Sequence, residues 1–225
     1  MSKIYEFWHE TEHLLNKRGY RRKRGVDYDM TFIPLNADDA HDLKYDSFKA
    51  EITLTTYPEV LYFKGDLTAL RTMDYPIIEG DFTVLVVSKR LLALLTAIKP
   101  FAYKAIPVII YDAAYTDYPF TGNPFLQNFA SKGDVPINTD FVFIKLLRHF
   151  SMDKDNSVFT LEPFMGKELF TGIKKLEVLE PEDGLDPLFR IKEKCINLFI
   201  TDDARQEIER QGINGVICEE IHNIP

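Results

Sequence analysis

Short alternating and apolar runs dominate the first two-thirds of the chain. Val26, Tyr28, Met30 and Phe32 alternate with Asp27, Asp29 and Thr31, a period of two that predicts a half-buried strand. Phe48, Ala50, Ile52 and Leu54 alternate with Lys49, Glu51 and Thr53 and predict another. Residues 59–63 continue the sheet after Pro58, and Gly65-Asp66 reads as a turn. Ile4, Tyr5, Phe7 and Trp8 mark a short first strand or the start of a helix. The runs 82–87, 106–111, 141–147, 157–161 and 173–179 read as further strands. Pro107 places the second of these at a sheet edge or a strand start, because proline donates no ladder hydrogen bond.

Two segments carry helical signals. Ser88 stands at an N-cap position, Leu91, Leu92, Leu94, Leu95 and Ile98 share one broad face, and Pro100 lies just past the end. Thr201 occupies the same position before a second helix, with Asp202 and Asp203 in its first turn and Arg210 in its last, signs that match the helix dipole. Gly212 fits a left-handed C-terminal residue, and Asn214-Gly215 a turn into the last strand, 216–221. Both segments run strand, hydroxyl cap, helix and strand, which predicts a duplicated unit over 82–110 and 196–221. The first helix is richly apolar; the second offers mainly Ala204 and Ile208 and should be more exposed. The fold class that follows is α+β: mixed, largely antiparallel sheets, a few short helices and two similar strand–helix–strand units. Residues 1–75 read as a β-rich N-terminal segment of the same domain, and 76–225 as the main α+β domain.

Composition narrows the function classes. The chain has 225 residues, 45% apolar and 28% charged, with 17 Phe and 11 Tyr, enough for one large domain or two small ones and for aromatic contact surfaces. A net charge of −8 disfavours sequence-independent nucleic-acid binding and suits a basic partner. The one basic cluster, Lys17, Arg18, Arg21, Arg22, Lys23 and Arg24, is expected on a solvated face or against an acidic surface. No export signal and no apolar run of membrane-spanning length is present, so the cytoplasm is the expected location and no membrane partner is expected.

Candidate chemistry is sparse. Cys195 and Cys218 lie in apparent strands and read as small buried residues, with a disulfide open only if those strands are neighbours. His9 and His13 are four apart, but nothing completes a zinc pattern. His149 stands alone beside an apolar strand. Asp27, Asp29, Asp38 and Asp39 lack the glycine and terminal glutamate of a calcium loop. No nucleophile elbow, phosphate loop or cofactor motif appears, so no catalytic residue, metal or cofactor is assigned. Two surfaces remain as binding candidates. One is the acidic turn of Glu180, Glu182, Asp183 and Asp186; the other is Tyr115, Tyr118 and Phe120 in the aperiodic stretch 112–140.

In the strand Leu188-Phe189-Arg190-Ile191-Lys192, an apolar face alternates with a basic one. This strand, the run Leu198-Phe199-Ile200-Thr201, the helix and Gly212-Ile213-Asn214-Gly215-Val216 together resemble a family of bacterial immunity proteins from polymorphic toxin systems. Val86-Val87-Ser88-Lys89-Arg90-Leu91-Leu92 resembles that family's "VSERL" segment. The likeness covers residues 76–111 and 173–221; Glu193 stands where the family often has glycine. The resemblance implies a non-catalytic cytoplasmic protein that binds a cognate toxin domain and neutralises it. The acidity of the chain points to a basic, nuclease-type toxin. A small enzyme with a dispersed carboxylate and histidine site, or a general interaction module, is the alternative.

Overall fold

The computed structural model describes residues 3–9, 29–33, 43, 46–51, 54, 56–78, 84–113, 136–164 and 167–221. The basic cluster at 17–24, His13, Asp27, Asp38, Asp39 and the aromatic candidates Tyr115, Tyr118 and Phe120 lie outside the described residues. The fold is α+β, with mixed and mostly antiparallel sheets.

One sheet has the order β14-β1-β13-β12-β9. Its strands are β1 (Ile4–His9), β9 (His149–Phe150), β12 (Leu188–Ile191), β13 (Lys194–Thr201) and β14 (Val216–Glu220). A larger sheet has the order β4-β2-β3-β6-β8-β5, with β7 also paired to β6. Its strands are β2 (Asp29–Ile33), β3 (Leu61–Gly65), β4 (Ile77–Ile78), β5 (Val86–Ser88), β6 (Tyr103–Asp112), β7 (Ile137–Asn138) and β8 (Phe141–Leu146). β10 (Val158–Phe164) and β11 (Lys167–Lys175) form a separate hairpin. The helices delimited among the described residues are α1 (Leu67–Leu70), α2 (Lys89–Ile98) and α3 (Asp202–Gln211).

The two strand–helix–strand segments share a topology beyond their sequence plan. β5 and β6 both pair antiparallel with β8, so they run parallel with β8 between them. β13 and β14 both pair antiparallel with β1 and are parallel in the same way. Each unit is a split β-α-β arrangement whose central strand comes from elsewhere in the chain. α2 and α3 pack against each other. Under them, Tyr5, Phe7, Val87, Leu91, Leu95, Ile144, Leu198, Ile200, Ala204 and Ile208 form a shared core. A second core, around Phe63, Val86, Ile106, Val108, Phe141 and Phe143, lies on the other face of the large sheet. A third, around Phe150, Ile173, Phe189, Ile191 and Phe199, includes residues of β9, β11, β12 and β13.

Several expectations need correction. Residues 48–54 form no strand among the described positions: Asp46 and Ser47 are helical, Phe48 is in a turn and 50–51 are bends. A buried ion pair from Asp46 to Lys145 and a hydrogen bond from Lys145 Nζ to the Glu51 carbonyl hold this segment against β8 instead. Pro107 is in the interior of β6, not at an edge. Its missing N–H is tolerated because β6 changes partners there, pairing with β8 through Tyr103–Pro107 and with β3 from Val108 onward. Asp66 does not simply complete a turn; its carboxylate accepts from the Thr68 and Ala69 N–H groups and caps α1. The basic face expected for 188–192 also fails at Arg190, which is 2% exposed and as buried as Leu188, Phe189 and Ile191. The pairing with β13 is irregular there, and the Arg190 guanidinium donates to the Cys195 and Ile196 carbonyls. Cys195 and Cys218 are free and half-buried; β1 lies between their strands.

Candidate functional site: an acidic cleft beside two packed helices

The acidic turn is built by a tight reversal and two cations. The Gly184 N–H donates to the Pro181 carbonyl, and Gly184 has a φ of 76°, a conformation glycine adopts without strain. Lys99, the residue that ends α2, donates to the Gly184 and Leu185 carbonyls at 2.8 and 3.1 Å. Arg148, between β8 and β9, grips Asp183 with two bonds of 2.6 and 2.8 Å. That fork holds the Asp183 carboxyl down at about 2.

The four acids of this turn therefore differ in role. Glu180, Glu182 and Asp183 are exposed. Asp186 is 3% exposed and lies 3.4 Å from Lys99 and 3.8 Å from Arg148. Burial pushes its carboxyl up, against the pull of both cations. Asp186 is an internal tether of the turn, unable to meet a partner directly.

The start of α3 completes the site. The Thr201 hydroxyl makes no capping hydrogen bond, although the residue sits at the N-cap position. The entry is fixed by backbone instead: the Thr201 N–H donates to the Pro187 carbonyl and the Asp202 N–H to the Lys3 carbonyl. Asp202 and Asp203 thereby face the turn across a cleft of about 540 Å³, whose walls include Glu180, Asp183, Lys3 and Lys99. Four carboxylates and two lysines line it, beside the positive end of a helix; Asp183 is paired with Arg148, and Asp202 with Arg205 at 3.1 Å. Glu182 does not line the cleft.

Sequence reasoning missed the joint that fixes α2 relative to α3. Asp74 accepts from the Ser88 hydroxyl at 2.6 Å, from Arg90 Nη2 at 2.7 Å and from the Asn214 N–H at 2.9 Å. The Ser88 hydroxyl in turn accepts from the Leu91 N–H and caps α2. Arg90 also donates to the Gly212 carbonyl. The two segments that resemble the immunity family, 86–92 and 212–216, thus meet at one carboxylate. Gly215 packs there at a φ of 77°, and a Cβ on it would come 3.2 Å from the Tyr75 carbonyl oxygen. Asp74 falls in no predicted element, so the sequence carried no signal for it.

Elsewhere, buried polar groups are held by hydrogen bonds and packing, while the Nε2 atoms of His9 and His149 have no hydrogen-bond partner among the described residues. Lys145, wholly buried in β8, donates to Asp46 at 2.6 Å and to the Tyr57 hydroxyl at 3.2 Å, while that hydroxyl donates to Asp46 at 2.5 Å. Burial and the Asp46 carboxylate push the Tyr57 phenol up. His9 stacks on Tyr75 with ring centres 3.7 Å apart, and burial holds its imidazole down at about 4. His149 is held at about 4 by burial and by the charges of Arg190, Lys145 and Lys192. Burial pushes the Cys218 thiol up to about 12, which suppresses its thiolate. Among the described residues, no group of three His, Cys, Asp or Glu is placed to hold a metal ion. No described helix is long and apolar enough to cross a membrane.

Compared with known proteins, the chain matches no family model and no curated protein.

Proposed function

We propose that this protein is a bacterial immunity protein that binds a cognate toxin domain stoichiometrically and neutralises it, without catalysis of its own. The observation that carries this reading is the acidic cleft formed by Glu180, Asp183, Asp202 and Asp203. Acids at this cleft on a chain of net charge −8 suit the basic surface of a nucleic-acid-cleaving toxin, because complementary charge speeds encounter and penalises wrong partners. The resemblance at 86–92, 188–201 and 212–216 supports the same reading, since those residues build the scaffold that positions the cleft.

The test is co-expression. The gene immediately upstream should encode a secreted protein whose C-terminal domain stops growth when expressed alone, and this protein should restore growth. The purified pair should form a one-to-one complex that weakens as salt is raised. Growth arrest that persists with both proteins soluble would refute the assignment.

A further inference from the structure

We draw no further inference here: the strongest candidate, the apolar groove between α2 and α3 walled chiefly by Leu94, Ala97, Ile98 and Ile213, carries nothing because nothing in the structure shows what covers it.

Discussion

Lys145 shows how far a single position can be read from sequence. It stands in Phe141-Val142-Phe143-Ile144-Lys145-Leu146, where every residue is buried. A lysine inside such a run implies a buried partner, but Asp46 lies 99 positions away and no local pattern connects the two. Removing one member of the pair strands the other charge in the core. Asp46→Ala should therefore cost about 3–5 kcal/mol, measured by urea unfolding. Asp46→Leu with Lys145→Met should recover most of that loss, because a matched apolar pair leaves no unpaired charge. Arg190 is the complementary case. Alternation placed it on a polar face, but both faces of β12 are covered, and irregular pairing with β13 leaves two carbonyls for its guanidinium to satisfy. Alternation reports the face of a residue only where one side of the sheet meets water.

At the scale of elements, the two helices have similar start signals and different start chemistry. Ser88 caps α2 through its hydroxyl and also bonds Asp74, whereas the Thr201 hydroxyl caps nothing. Ser88→Ala should cost about 1–2 kcal/mol, and Thr201→Ala should lie within about 0.5 kcal/mol of wild type, both by chemical denaturation. Equal losses from the two substitutions would contradict this account. The ends after α3 differ as well. Gly212 has a φ of 61° with open space around it, while Gly215 combines a φ of 77° with backbone contact at 3.2 Å. Gly215→Ala should therefore destabilise more than Gly212→Ala, with the first at about 2 kcal/mol and the second at about 1 kcal/mol. The Ser88 cap, the left-handed Gly212 and the apolar arc of α2 were legible because each is a local requirement; Thr201 carries the same signal without the cap, and Asp66 caps α1 where only a turn was expected. The strands inserted between the units were not: β1 reaches β13 and β14 across nearly the whole chain, and no local signal encodes that pairing. For the same reason the acidic turn was visible in sequence, while its opposing wall, Asp202 and Asp203, read only as helix-dipole compensation.

At the scale of the whole molecule, the buried His9 and the half-buried His149 set how stability responds to acid. His9 and His149 both have their imidazoles held near 4, and the Nε2 atom of each is buried without a hydrogen-bond partner among the described residues. An unfolded histidine titrates near 6.5. Above that pH neither state takes up a proton, and the neutral rings cost nothing extra. As pH falls from about 6.5 toward 4, the unfolded chain binds protons that the folded protein refuses, so stability drops across that window. For His9 the difference amounts to about 3 kcal/mol by pH 4; His149 contributes less, because its partial exposure lets solvent screen the charge. Glu6 and Asp186 act in the opposite direction, since burial raises both carboxyls and the folded protein relieves that cost by taking up their protons as pH falls. The carboxyls held low by ion pairs, Asp183 and Glu207, contribute fully above about pH 5 and lose that contribution as pH falls from there toward 2. Between pH 6.5 and 5 the histidines therefore lower stability, and Glu6 and Asp186 offset part of that loss. Unfolding free energy measured with urea should fall through this range, and His9→Phe, which preserves stacking on Tyr75, should flatten the slope. An unchanged slope in that variant, with the fold intact, would show that the ring is protonated in the folded protein and that its burial carries no acid penalty.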